Sequence, residues 1–398
     1  MAGTLNFLPA SELQNARIKV IGVGGAGGNA VDRMICNGLN SVEFIAVNTD
    51  AQALDRTRAG IKIQIGKQLT KGLGSGGNPD IGRQAAEQDA DQLKEVMQDS
   101  DLIFITAGMG GGTGTGAAPK VAQLARELGA LTVAIVTKPF DFEGRRRASI
   151  AEGGIKELRE KVDTLIGIPN QRLVSVVDER TSLLKAFELA DSVLSQATRG
   201  ISDLITVPGI VNLDFADVRT IMEGMGDALI GIGVAVGEDR GTKAAMQAIS
   251  SPLLEDVKIT GAQGVLVNIT GSSEITLHEV NQAVSLINDA AGDRANVIFG
   301  AVVDDNLGEE IRVTLIATGF NHRECKVAPF PKLEQSVDFR SAKKPLDIEI
   351  PTVIRREGES KDGNGNGNGN RKHLGEIDLE SEPPDISLPT FLRRNGGR

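Results

Sequence analysis

The sequence predicts an α/β protein, a doubly wound parallel sheet joined by a long central helix to a smaller α+β domain. Three observations predict it. From Arg17 onward, short apolar runs alternate with helical patterns, as strands do when helices cover both faces of a sheet. Glycine-rich turns follow two of those runs and lead straight into helical patterns. An unbroken helical pattern over 182–205 then separates this region from a second set of strands.

Taken in order, residues 1–16 form a short leading segment before the expected nucleotide-binding domain, 17–180. Its predicted strands are 18–23, 42–47, 102–106, 131–137 and 173–177. The central helix region, 181–209, carries Leu183, Leu184, Phe187, Leu189, Val193 and Leu194, more apolar positions than one narrow stripe holds. Such a helix is expected between two packed layers, with Pro208-Gly209 ending it. The second domain, 210–320, offers strands at 228–236, 264–269, 297–303 and 311–318, with helices at 242–250 and 277–288 covering one face. Residues 321–384 are polar and mixed in charge, with a Gly-Asn repeat from Gly363 to Asn370, and read as a disordered linker. The terminal segment is 385–398.

Composition narrows the function. With 398 residues and 40% hydrophobic content the chain can build substantial cores. The net charge of −10, carried by the residues before 321, and the absence of Trp and Tyr argue against nucleic-acid binding. Cys36 and Cys325 give no disulfide framework or cysteine zinc site, and His278, His322 and His373 are too scattered for a histidine metal site or triad. No apolar run approaches the ~20 residues of a membrane span. The start of the chain, with Glu12, does not read as a secretory signal, so a cytoplasmic protein is expected.

The chemistry lies in the glycines. Gly108-Met109-Gly110-Gly111-Gly112-Thr113-Gly114-Thr115-Gly116 holds six glycines in nine residues between an apolar run and a helical pattern. Bare backbone N–H groups and the positive end of a helix make a phosphate cradle, and the two threonines add hydroxyls for phosphate or a hydrated metal. An earlier turn, Gly22-Val23-Gly24-Gly25-Ala26-Gly27-Gly28-Asn29, has the G-x-G-x-x-G spacing of a dinucleotide site. Asp50, after Val47-Asn48-Thr49, is then the candidate ribose acid, which keeps a nicotinamide-dependent oxidoreductase open. A dinucleotide fold has no use for a second glycine cradle, however, whereas a nucleoside triphosphate spans two strand ends. A third turn, Gly72-Leu73-Gly74-Ser75-Gly76-Gly77-Asn78-Pro79, is suited to close over a γ-phosphate. No Walker A motif is present, since Gly60 to Gly66-Lys67 is one residue too long and Gln68 stands where Ser or Thr is required.

Gly110 to Gly116, with Gly24-Gly25-Ala26-Gly27-Gly28-Asn29 before it and Asn212-Leu213-Asp214-Phe215-Ala216-Asp217 after it, resembles the FtsZ family of tubulin-like division GTPases over about 15–320. The resemblance implies GTP/GDP as ligand, Mg²⁺ with phosphates and water as most of its ligands, and hydrolysis to GDP and phosphate. It places Gly24, Gly25, Ala26, Gly27, Gly28 and Asn29 on the α- and β-phosphates, with Asn29 also reaching the base. Gly110, Gly111, Gly112, Thr113, Gly114 and Thr115 would wrap the β- and γ-phosphates, with Asn48 and Gly76 in the same pocket. Glu143, Arg147 and Asn170 would meet the sugar and phosphate region. Phe187 would stack on the purine, and Asp191, one turn on, would accept from guanine N1–H and N2–H₂.

Asn212, Asp214 and Asp217 would be the catalytic set, acting in the neighbouring subunit's site after head-to-tail stacking. Read from residues alone, the two aspartates serve equally as cap chemistry, with Asp217 heading a helix from Val218. The implied protein assembles into cytoplasmic filaments that build a division ring at mid-cell; a relative that polymerises without hydrolysis is the remaining alternative. The tail carries a near-repeat, Asp347-Ile348-Glu349-Ile350-Pro351-Thr352-Val353-Ile354-Arg355-Arg356 and Asp385-Ile386-Ser387-Leu388-Pro389-Thr390-Phe391-Leu392-Arg393-Arg394. Two such peptides on a linker suit an apolar groove with an acidic rim. In the family the terminal peptide binds membrane-anchoring adaptors, so the linker's reach of roughly 40–50 Å would join filament to membrane.

Overall fold

Strands that are apolar at successive positions need cover on both faces, and the observed fold supplies it. The computed structural model describes residues 16–320 apart from 176, 179, 208, 212 and 255–258. Asn212, Pro208 and both tail peptides lie outside the described residues. The chain begins β1 (Ile18–Val23), α1 (Gly24–Cys36), β2 (Glu43–Asn48), α2 (Ala51–Arg56), β3 (Ile61–Gln64), α3 (Lys67–Thr70), α4 (Pro79–Gln88) and α5 (Ala90–Met97). It continues with β4 (Leu102–Gly108), α6 (Thr113–Glu127), β5 (Leu131–Lys138), α7 (Arg145–Arg159), β6 (Thr164–Pro169) and α8 (Asn170–Leu173). After α9 (Leu183–Thr206) come α10 (Phe215–Met222), β7 (Gly226–Ala235), α11 (Arg240–Ile249), β8 (Gly264–Gly271), α12 (Leu277–Ala291), β9 (Asn296–Val303) and β10 (Ile311–Thr318).

Among the described residues the strands form one sheet, ordered β3-β2-β1-β4-β5-β6-β7-β10-β8-β9. The first seven are parallel, and β10 runs antiparallel to both β7 and β8. Alternate residues of the central strands feed two cores, as a period of two requires. Val20, Phe104 and Val133 face α1 and α9, while Ile21, Ile105 and Ala134 face the side of α4 to α7. The two regions expected from the sequence join through three residue pairs, Thr164–Ala228 being spanned by Thr164↔Gly226, Leu165↔Asp227 and Ile166↔Ala228. α11 and α12 cover one face of the second region.

Helix α9 lies between layers, and Leu194, Ile201 and Leu204 share one core with β5, β8 and β9 residues. At ~1.5 Å per residue its 24 residues run about 36 Å. Its first turn departs from the sequence expectation: Leu183 and Leu184 are exposed, and Ser182 caps the helix by accepting from Lys185 N.

The sequence pattern misplaces one strand and misses another. The expected strand at 173–177 is not one; α8 ends at Leu173, a turn follows, and Val174 is exposed. The strand is β6, whose Leu165, Ile166 and Ile168 are buried while Gly167 and Pro169 interrupt the apolar pattern. The short edge strand β3, four residues with Lys62 and Gln64 interrupting its apolar pattern, has no counterpart among the predicted strands. The helix after the central one starts at Phe215, not Val218, and its cap is Asp214 rather than Asp217.

Candidate nucleotide site

In an open parallel sheet, ligands settle beyond the carboxyl ends of the strands, where connections leave to opposite faces. A cleft of about 560 Å³ opens there, a size suited to a nucleotide-sized ligand. Val23, Asn48, Gly108, Thr137, Pro139 and Asn170 bring the ends of five parallel strands to its wall. A hollow of about 140 Å³ adjoins it, sharing Gly25, Asn48 and Ala53 and lined also by Gly24, Gly28 and Asn29.

Several helix N-termini reach this edge without side-chain caps, α1 and α6 at the glycine loops and α7 and α8 through Arg147 and Asn170. α1 follows Val23 and α6 follows Gly112, neither with a side-chain cap bond nor an acid in its first turn. By contrast, Asp50, Asn78, Ser182, Asp214 and Thr276 cap α2, α4, α9, α10 and α12. Uncapped N–H groups with the positive dipole end behind them form an anion site.

The glycines divide into those that let backbones touch and those that leave room. A Cβ on Gly24, whose φ is +76°, would come within 2.8 Å of Gly114 N, so the two glycine loops pack directly together. A Cβ on Gly27 would meet Thr106 O at 2.5 Å. Gly27 seats α1 on β4 and, against the sequence expectation, does not line the cleft. At Gly25, Gly28 and Gly111 a Cβ would meet nothing within 4 Å, and this clearance borders the cavities.

The two cradle threonines differ in use. Thr115 is buried, and its Oγ1 accepts from Gly110 N at 2.8 Å, so it shapes the loop instead of reaching the cavity. Thr113 lines the cavity, with its Oγ1 2.7 Å from Thr49 Oγ1 and 3.0 Å from Ser75 Oγ. Gly76 is not on the cavity wall, but Gly74, Ser75 and Gly77 are.

Opposite the loops, Glu143 accepts from Phe140 N at 3.0 Å and from Arg147 Nη1 at 2.6 Å. Glu143 and Arg147 thus reach the cleft as a preformed pair. Phe187 meets Phe140 edge-on at 5.3 Å between centroids and remains 38% exposed, so a face is left for a planar ligand. Asp191 follows one turn later on α9. Burial pushes its carboxyl up to about 6; nearby Arg33 draws it down and Glu188 raises it. Asn170 lines the same cleft, and its buried Oδ1 has no partner among the described residues. A desolvated carboxylate and an unsatisfied carbonyl both call for donors from a ligand.

Asp50 Oδ1 accepts from Gln52 N at 2.9 Å and Ala53 N at 3.2 Å. The acid that a nicotinamide site would aim at ribose instead caps a helix. Sequence reasoning passed over Ser75, Thr137 and Pro139 as wall residues. Thr137 and Pro139 were findable, since they close β5 at the same edge as Gly108.

The predicted acids sit elsewhere. Asp214 accepts from Asp217 N at 2.8 Å, and together they open α10. That helix is fastened to the amino ends of β5 and β6: Arg219 donates to Gly129 O, and Thr164 donates to Met222 O. The cleft occupies the carboxyl ends of those strands, roughly 20–25 Å away at 3.3 Å per residue. The structure therefore brings together the cradle, Glu143, Arg147, Asn170, Phe187 and Asp191, and leaves Asp214 and Asp217 toward the opposite ends of the strands.

Comparison with known proteins agrees with this arrangement. A sequence model of the Tubulin/FtsZ family GTPase domain matches residues 17–178, and one of the FtsZ family C-terminal domain matches residues 226–321. The chain is 46% identical to a solved FtsZ dimer from M. jannaschii, with a TM-score of 0.76 over 79% of this chain and 91% of that one. CetZ1 from Haloferax volcanii, a GDP-bound monomer, shares the fold at 20% identity and TM-score 0.67, over 77% of this chain and 95% of that one. CetZ2 from the same organism, a GTPγS-bound protofilament, does so at 20% identity and TM-score 0.66, over 77% and 94%.

Proposed function

The chain belongs to the tubulin/FtsZ GTPase family, and from that premise we propose that it hydrolyses GTP at a site completed by a second copy of itself. GTP lies in the cleft of one molecule, its phosphates on the uncapped ends of α1 and α6 and its guanine against Phe187 and Asp191. The next molecule delivers Asp214 and Asp217, with Asn212, to the open phosphate end. Their carboxylates polarise the attacking water, and the cradle holds the γ-phosphate in line. Phosphoryl transfer asks mainly for positioning and charge stabilisation, which a site split between molecules supplies.

The observation that carries this reading is the separation of acids from cradle by the length of the sheet. A heterologous contact that joins cradle edge to acid edge repeats without closing and builds an open filament. The M. jannaschii relative, described as an FtsZ dimer, is consistent with self-association. Loss of the γ-phosphate removes contacts at the junction and loosens it. Mg²⁺, when bound, would be held mainly by the nucleotide's phosphates and water and would supply charge stabilisation there, since among the described residues no three His, Cys, Asp or Glu side chains form a cage. The Thr113 hydroxyl is the nearby protein group able to meet its water shell.

In the cell, such filaments would form a cytoplasmic ring at mid-cell. No helix among the described residues is long and apolar enough to cross a membrane. Attachment is assigned to adaptors that take 385–394, with 347–356 as a second docking peptide that raises avidity through effective concentration. A truncation ending near Glu357 should keep weakened adaptor binding, and complete loss in a titration would leave the upstream copy without a role.

Asp214→Ala tests the catalytic assignment. It should lower turnover by about 10²–10⁴-fold while GTP still binds, measured by phosphate release and nucleotide titration. Normal turnover in this variant would reject the assignment.

A further inference from the structure

Three hydroxyls meet where the cleft's loops converge, and two of them, those of Thr49 and Ser75, have no role in the account above. Thr49 closes β2, Ser75 lies in the 72–78 loop, and Thr113 opens α6; all three are buried. Thr113 Oγ1 lies 2.7 Å from Thr49 Oγ1 and 3.0 Å from Ser75 Oγ, and neither of these two hydroxyls has another partner among the described residues.

Each hydroxyl has one proton and room to accept two. Were Thr49 or Ser75 to accept from Thr113, its own proton would be buried without an acceptor, at a cost of roughly 1–3 kcal/mol. With both donating, Thr113's acceptor capacity is filled and its own proton is left for something else. The remaining direction is the cleft that Thr113 lines.

Packing indicates which phosphate that proton meets. A Cβ on Gly112 would fall 2.2 Å from Ser75 Oγ and 2.8 Å from Asn78 N, so the 72–78 loop sits directly on the start of α6. On the opposite side Gly24 abuts Gly114. Phosphates that begin on the α1 loop therefore reach the Ser75 side last. Thr70, the last residue of α3, donates its Oγ1 hydrogen to Thr49 O at 3.2 Å and accepts from Gly72 N at 3.3 Å, which ties the start of that loop to the end of β2.

We propose that Ser75 and Thr49 are positioning residues that fix the Thr113 hydroxyl as a donor to the terminal phosphate, so that the cleft distinguishes a nucleoside triphosphate from a diphosphate. This rests on the GTP reading of the cleft.

The test is calorimetric titration of the full chain with GDP and with a slowly hydrolysed GTP analogue, for wild type, Ser75→Ala, Thr49→Val and Thr49→Ser. The triphosphate-to-diphosphate affinity ratio should fall roughly tenfold in Ser75→Ala and Thr49→Val, as loss of a buried donor implies. Thr49→Ser, which keeps the hydroxyl, should hold the wild-type ratio. The Thr49 pair decides the matter even if Ser75→Ala does not fold. An unchanged ratio in Thr49→Val, or an equal fall in Thr49→Ser, would overturn the proposal and leave the GTP site standing. Wild type that binds neither guanine nucleotide would overturn the GTP reading itself and this proposal with it.

Discussion

Asp191 is the residue whose chemistry is most exposed to test. Its ordinary carboxyl value is 3.8, and burial raises it to about 6 in the folded chain. The protonated form is thus favoured by folding. Its stabilising contribution is complete below about pH 4 and is lost as pH rises through 6, at most about 3 kcal/mol. Urea unfolding of the nucleotide-free protein should show wild type losing stability between pH 4.5 and 7 relative to Asp191→Asn. Guanine donors need the ionised carboxylate, so GTP affinity should weaken below pH 6 in wild type and vary little with pH in Asp191→Asn. A parallel pH dependence in both proteins would remove Asp191 from the base site.

At the scale of elements, the two kinds of glycine in the α1 loop predict opposite outcomes. Gly27→Ala forces a Cβ to within 2.5 Å of Thr106 O, so α1 must lift from β4, at about 1–3 kcal/mol by urea unfolding. Gly28→Ala meets no atom and adds helix propensity. It should stabilise the free protein by up to about 1 kcal/mol and weaken nucleotide binding, because the new methyl occupies the hollow. Equal stability changes in the two variants would contradict this division.

The same elements show what the sequence could and could not convey. β1, β4 and β5 were legible because burial on both faces forces near-continuous apolar runs. β6 was not, because Gly167 and Pro169 break its run although its neighbours supply the pairing. The glycine loops were legible because each is contiguous. The Thr49–Thr113–Ser75 cluster was not, because it joins residues 64 and 38 positions apart, a pairing that only the folded sheet creates. Asp214's cap bond was visible as cap chemistry, but the residue that caps was misjudged by three positions.

At the scale of the whole molecule, distance separates the two halves of the site. The long helix α9 carries Phe187 and Asp191 at its start, while the acids open α10, the next helix along the chain. A junction between copies therefore needs one intact cradle and one intact acid pair, from different molecules. Mixing Asp214→Ala with Thr113→Ala, each inactive alone, should restore phosphate release, because some junctions then join the sound halves of each. No recovery in mixtures that still assemble would count against a shared site.

GTPase activity per molecule, followed against protein concentration with sedimentation to report assembly, tests the split site most directly. The account predicts negligible turnover in the monomer and a steep rise once copies associate. Constant turnover per molecule, extending down to a solution shown to be monomeric, would contradict it.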